Sequence, residues 1–187
     1  MSWNTDPSHS SVEFAVRHMV VSTVRGRFDD FSVAAEIDEA DLARSRGTVR
    51  VRTASVDTRE EQRDAHLRSP DFFDAEQYPE LTFAITDVQG AGGDYRITGD
   101  LTIKDVTRQV TLDAEITGPV ADPWGNTRLG LSASGKLNRK DYGRTWNVVT
   151  EAGGLRVGDD VKLTIEAEFV KVVETAEAEL EPAGLTV

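Results

Sequence analysis

Three histidines, a serine-rich stretch, a glycine cluster and a basic-aromatic cluster are the residues whose types and spacing could do chemistry. His9 and His18 lie nine positions apart in what reads as one extended strand. A continuous strand separates them by roughly 30 Å, too far to share an ion. His18 and His66, with Asp64 close in sequence, could meet at one end of the fold. Two neutral nitrogens and a carboxylate resemble a catalytic zinc set, yet the spacing matches no metal signature. The same histidines could equally mark the polar edge of an apolar cavity, or be ordinary hydrogen-bonded side chains. Gly130-Leu131-Ser132-Ala133-Ser134-Gly135 misses G-x-S-x-G by one position and lies in an alternating stretch, whereas a nucleophile elbow needs a strand-to-helix turn. Gly90, Gly92 and Gly93 have no Lys-Ser/Thr after them, which excludes a phosphate loop. Arg139, Lys140, Arg144 and Trp146 could meet an anionic head group or offset acids such as Asp141. The chain is read as a non-enzyme, with no catalytic residue, metal ligand or cofactor assigned.

Composition narrows the partners. At 187 residues the chain reads as one domain able to bury roughly 70% of its unfolded surface. It has no cysteine, so disulfides, thiolate catalysis and cysteine metal sites are excluded together. A net charge of −12 argues against nucleic acid, whose phosphates demand clustered Lys and Arg. The first 25 residues hold no long apolar run, so neither a signal peptide nor a membrane span is expected, and the expected location is cytoplasmic. Glu174, Glu177, Glu179 and Glu181 belong to a C-terminal stretch with Pro182 and Gly184. The division expected is a barrel domain over 1–174 and an acidic, disordered tail over 175–187.

Alternation of apolar and polar residues dominates the rest, the signature of strands with one apolar face. Val12, Phe14, Val16 and His18 share a parity in the first strand. Gly26 marks a turn region before a second strand with Phe31, Val33, Ala35 and Ile37, which Phe28 joins only across a bulge. Asp38 caps a short helical turn through Ala43. Val49, Val51, Thr53 and Ser55 form the third strand, and Leu81, Phe83 and Ile85 the fourth. Tyr95 to Ile103, Val110 to Ile116, Leu129 to Leu137 and Val161 to Phe169 complete eight. Eight sequential strands with one apolar parity each predict an all-β fold, an antiparallel up-and-down barrel, in preference to a sandwich, for which nine- or ten-residue strands are long.

Arg63 to Phe83 interrupts the alternation and contains three of the seven Phe and one of the three Tyr. A capping box of Thr58 and Glu61 predicts a helix from Arg59 to Leu67, and Ser69-Pro70 predicts the start of a second. Phe72, Phe73 and Tyr78 then sit in a connection and need something apolar to cover, since burying such a ring is worth roughly 1.5–3 kcal/mol. The mouth of the barrel is the surface available, so short helices plug the opening. Ala35, Ser55, Gly99, Ala114, Ala133, Gly135 and Ala167 fall on the inward parity. Either neighbouring large side chains fill those gaps or an apolar guest does.

Trp3, Asp6-Pro7, His9-Ser10, the Val12 to His18 alternation, Gly26-Phe28, Arg63-Asp64, His66-Leu67, Asp71-Phe72-Phe73, Tyr78-Pro79, Phe83, Gly99 to Ile103, Arg139, Asp141-Tyr142-Gly143 and Val157-Gly158 together resemble the YceI-like family of bacterial lipocalin-like proteins. The resemblance implies a barrel that carries a polyisoprenoid or other long lipid in its lumen, head group at the opening, and it implies that homodimers are frequent. Carried onto this chain, the tail contacts Phe14, Val16, Phe31, Phe83, Leu101, Ile103, Leu112 and Phe169. Phe72, Phe73 and Tyr78 close over it, with His18 at the change of polarity and Trp146 added near the head group. Many relatives carry secretion signals, so an envelope role is not transferred. The rival readings are a metal- or histidine-assisted enzyme using His18 and His66, and a structural or interaction protein with a solid core.

Overall fold

The structure, a computed structural model, describes residues 2–143 and 157–172. Among them are eleven strand segments: β1 (Trp3–Thr5), β2 (Ser11–His18), β3 (Ser22–Phe28), β4 (Phe31–Glu36), β5 (Arg46–Arg52), β6 (Val56–Asp57), β7 (Glu80–Ala91), β8 (Asp94–Ile103), β9 (Val106–Ala121), β10 (Thr127–Asn138) and β11 (Val157–Lys171). One α-helix, α1 (Glu61–Arg68), accompanies them. The segments lie on eight paths around a barrel. β1 and β2 are two halves of one path, broken by a 3-10 turn at Pro7–His9, and both pair with β11. β3 and β4 form the next path against β2 and β1, and β6 and β5 the one after it. β7 to β11 then follow in sequence order, all antiparallel. Return of β11 to the first path closes the ring, while among the described residues only Arg27 and Phe28 of β3 pair on the side away from β2, with β6.

Several local features differ from the sequence reading. Gly26 is not in a turn: it lies within β3 opposite Phe14, and an added Cβ would fall 2.3 Å from the Phe14 ring. The glycine permits ring-to-backbone approach across the ladder. Phe28 ends β3, and Asp29-Asp30 separates it from β4. The turn after β4 is a 3-10 turn at Leu42–Arg44 capped by Asp41, while the Asp38 carboxylate accepts from the N–H groups of Ala40 and Asp41. Thr53 and Ser55 lie in a 3-10 turn beyond β5. Glu60, not Thr58, caps α1, accepting from the N–H groups of Gln62 and Arg63. Thr58 donates its hydroxyl to buried Asp64 instead. The second helix does not form: the chain after Ser69 makes only isolated turns, the Ser69 carbonyl accepting from the N–H groups of Phe72 and Asp74 and the Asp74 carbonyl from those of Gln77 and Tyr78. The opening is covered by one helix and the turns behind it.

The two ends of the barrel differ. At the end holding β1 and the β9–β10 turn, Trp3, Leu129, Ala167 and Phe169 are buried together, with Val33, Ala35 and Leu42 against them. A charged clasp lies at the same end. Arg128 donates to Asp122 at 2.7 Å, to Asp6 at 3.2 Å and to Glu168. Arg128 chiefly holds the Asp122 carboxyl below the usual carboxylate range, and hydrogen bonds from Ser8 and then His9 do the same for Asp6. Because both carboxyls are depressed in the folded state, their stabilisation is fully present above about pH 4 and is lost as pH falls below it. Arg128→Met is expected to lower the melting temperature at neutral pH and to flatten the acid limb of stability below about pH 4. Thermal melts across that range check this, and an unaltered acid limb would show that Arg128 is not what holds Asp122.

Candidate ligand-binding cavity

Every strand path contributes alternate side chains to the barrel axis, and at the end opposite the clasp they do not meet. A cavity of about 600 Å³ lies there. Its wall is made of Val, Leu, Ile and Phe from β2, β5, β7, β8, β9, β10 and β11, such as Val16, Val49, Ile85, Val110, Leu137 and Leu163. The size and lining match sites that take small apolar ligands.

The cover is built from α1 and the turns after it. Leu67, Phe72 and Phe73 face the cavity, with Phe73 edge-on to Phe28 at 5.6 Å and Phe28 tilted onto Phe14 at 5.6 Å. The cover is pinned on both sides of the mouth. Arg68 donates to the carbonyls of Ala54 and Val56, at 2.8 and 2.9 Å, and Lys104 in the β8–β9 turn donates to the Pro70 carbonyl at 3.1 Å. The start of α1 is held by Asp64, which is 7% exposed and accepts from the Thr58 N–H at 2.9 Å and the Thr58 hydroxyl at 2.5 Å. Arg63 closes the loop, donating to the Thr58 hydroxyl and carbonyl.

Polar groups gather at the rim. Glu13, Arg17, His18, Glu60, Arg63 and His66 edge the cavity, and His66 pairs with Asp71 at 2.8 Å. Arg139 is buried in the wall, donating to the Gly158 carbonyl at 3.0 Å and facing Asp159 at 3.7 Å. Burial lowers its pKa, and Asp159 opposes that shift. Tyr142 beside it is 1% exposed, and burial pushes its phenol up to about 12. Lys140 pairs with Asp159 at 2.8 Å, so Asp159, and not Asp141, is the acid these cations meet.

Of the residues read from the sequence as ligand contacts, Phe14, Val16, His18, Phe72, Phe73, Phe83, Leu101, Ile103 and Leu112 line the cavity together. Phe31, Tyr78 and Phe169 do not. Phe31 packs against Phe28, Val51 and Val56, and Phe169 is buried in the closed end of the barrel, where β1 seals it. Tyr78 turns to Lys104, whose ammonium lies 5.8 Å from its ring. Trp146 and Arg144 lie outside the described residues, as does the acidic tail. Val24, Tyr142, Val157 and Arg17 also line the cavity, and alternation pointed to none of them. Arg17 and Val157 lie where the strand pattern ends, and Tyr142 follows β10 in a 3-10 turn.

The inward small residues divide between the two alternatives left open by the sequence. The Phe83 ring covers Gly99, and Leu112 covers Gly135, so large neighbours fill both gaps. Ala133 lines the cavity, whereas Ala35 and Ala167 belong to the solid end. The barrel is half packed and half hollow. The zinc-like set does not assemble: Asp64 is committed to Thr58, and among the described residues the carboxylate-histidine group that converges is Asp6, His9 and Glu168. Arg128 bonds both of those carboxylates.

An eight-path antiparallel barrel with an apolar lumen under a short helix defines the class: a lipocalin-like β-barrel. The profile of the YceI-like domain matches residues 3–169, and the chain belongs to that family. A UPF0312 protein of Staphylococcus aureus (strain MSSA476) is 38% identical over 165 residues, 88% of this chain and 94% of that one. The crystal structure of the Campylobacter jejuni YceI protein is similar with a TM-score of 0.72 and 33% identity, over 84% of this chain and 90% of that one. A polyisoprenoid binding domain from Saccharophagus degradans, implicated in plant cell wall breakdown, has a TM-score of 0.68 at 14% identity over 92% and 99% of the two chains. At that identity the likeness is one of fold. No helix among the described residues is long and apolar enough to cross a membrane.

Proposed function

We propose that this protein is a non-enzymatic carrier that holds one long apolar amphiphile, of polyisoprenoid, quinone or fatty-acid-like type, with its tail in the lumen and its head at the rim. The observation that carries this reading is the apolar cavity of about 600 Å³ beneath α1. Left as vacuum, a space of that size would cost on the order of 14 kcal/mol, as much as the whole net stability of an ordinary domain. Water is a poor filler because each buried molecule needs two to four polar partners, which an aliphatic wall does not offer. A tail fits both constraints. Each methylene removed from water contributes about 0.8 kcal/mol, so ten of them supply roughly 8 kcal/mol before association costs. Among the described residues the wall holds no nucleophile beside a base, and the rim cations suit a head group bearing acceptor oxygens. The S. degradans domain named for polyisoprenoid binding shares the fold and so supports the reading by analogy.

Gentle purification followed by organic extraction and mass spectrometry tests it. The expected result is a stoichiometric amphiphile, or one-to-one uptake of an added prenol or fatty acid by the delipidated chain. A lumen that is repeatedly empty and refuses both would overturn the proposal.

A further inference from the structure

Large apolar side chains left in water are few among the described residues: Met19, Val20, Val21, Val120 and Trp124. Three of these are consecutive, in the turn that joins β2 to β3, where Val20 is 74% exposed and Val21 82%. The turn is also built against its own preferences. Met19 has a φ of 50° and Val20 a φ of 64°, and the Val21 N–H donates to the His18 carbonyl at 3.2 Å. Two residues at positive φ inside such a bond make a hairpin turn that Asn-Gly fills without strain, whereas a β-branched valine in that conformation is an outlier. Arg17 braces the strained turn by donating to the Val20 carbonyl and the Thr23 hydroxyl. Neither core packing nor turn chemistry accounts for three apolar residues in this place, and strain held at an exposed tip points to a use for it.

Position and charge say what the tip meets. Val16, Arg17 and His18 before the turn and Val24 after it line the cavity, so the turn stands beyond the rim at the open end, while Val120 and Trp124 stand at the clasp end. From Phe14 to Phe28 the sequence has Arg17, Arg25, Arg27 and His18 and no acid, in a chain whose net charge is −12. Arg27 pairs with Asp29 and Asp57, which leaves Arg17 and Arg25 without a carboxylate among the described residues. Of the acids at the rim, Glu60 accepts from the N–H groups of α1, and Glu13 lies opposite Arg27 in register, well below the turn. An apolar tip flanked by uncommitted guanidinium groups suits a lipid surface, with valine and methionine at the acyl boundary and arginine at the phosphates. The depth is limited: among the described residues Ser22 to Gly26 have no strand partner on the side away from β2, and unpaired backbone groups do not enter hydrocarbon. We propose that the β2–β3 turn docks this protein on a membrane surface bearing anionic lipids, at head-group depth, with the mouth of the barrel turned to the bilayer. The inference goes beyond the carrier reading, and docking can be read with no guest bound.

Flotation of the full chain with vesicles of phosphatidylcholine and phosphatidylglycerol at about three to one, beside pure phosphatidylcholine, tests it. The expected result is binding to the anionic vesicles that falls as salt rises and is several-fold weaker on the neutral ones. Met19→Asn with Val20→Gly supplies the residues that the turn's dihedrals favour, so the melting temperature should rise while vesicle binding weakens roughly tenfold. Val21→Ser should weaken binding in the same direction without touching the strained dihedrals, so it decides if the double variant fails to fold. Arg25→Ser should cost about fivefold on anionic vesicles and little on neutral ones. Trp124→Ser, at the opposite end, should leave binding as it is. Absence of vesicle binding by the folded chain overturns the proposal, as does binding that the folded turn variants leave intact. Loss of binding in the Trp124 variant alone also overturns it, by putting the clasp end on the membrane. Docking by a chain whose lumen proves empty would uphold this inference and defeat the carrier reading, so the two fail separately.

Discussion

Leu163→Trp is expected to weaken amphiphile binding by roughly two orders of magnitude while leaving the melting temperature unchanged or raised. Leu163 points into the lumen from β11, opposite Phe14 on β2 and Gly135 on β10, and lines the cavity without being fully buried. An indole placed there grows into empty space. It takes the room of about four tail methylenes, worth about 3 kcal/mol of binding, which is a little over a hundredfold. Filling a cavity normally stabilises a fold, so loss of binding and loss of structure move in opposite directions. Isothermal titration with the amphiphile recovered by extraction, beside a thermal melt, reads both. Undiminished affinity in a well-folded variant would place the guest somewhere other than the lumen.

Asp64→Ala is expected to lower the melting temperature by roughly 6–12 °C and to speed ligand release. The Asp64 carboxylate bonds both the N–H and the hydroxyl of Thr58, and Thr58 in turn anchors Arg63, so one side chain ties the start of α1 to the strand before it. Hydrogen bonds to a charged group are worth about 1.5–3 kcal/mol each, and truncation also leaves the Thr58 donors without an acceptor in a buried place. A net loss of about 3 kcal/mol corresponds to that shift for a domain of this size. Asp64→Asn keeps one acceptor oxygen and should lose about half as much. Because α1 covers the mouth, stopped-flow displacement of a bound amphiphile should show faster release in the alanine variant. An unchanged melting temperature would mean that the cover is held by Arg68 and Lys104 alone.

The barrel was legible because each strand reports its own facing. Val12, Phe14 and Val16, or Leu101 and Ile103, need no partner to show which side is apolar, and the aromatic pair Phe72-Phe73 was out of phase with any strand and so had to cover something. Misreadings arose where a residue's role is set across the ladder. Gly26 looked like a turn because its reason, the ring of Phe14, lies on the neighbouring strand. Thr58 and Glu61 carried the spacing of a capping box, but buried Asp64 competed for the hydroxyl and Glu60 took over the cap. Phe31 and Phe169 had the right parity and the wrong height: both point to the axis or its edge, in layers that packing fills.

The sequence by itself determined which side chains face the axis and that an aromatic connection closes one end, because side-chain direction in a strand alternates locally, whatever lies opposite. Only the tertiary structure decided how much of that axis is hollow. Whether an inward glycine leaves a gap depends on the reach of a side chain on the neighbouring strand, as Phe83 over Gly99 and Leu112 over Gly135 show. Where the hollow stops depends on Trp3, Leu129 and Phe169 arriving at one level from three separate strands, and such a meeting is a property of register and closure that no single strand contains.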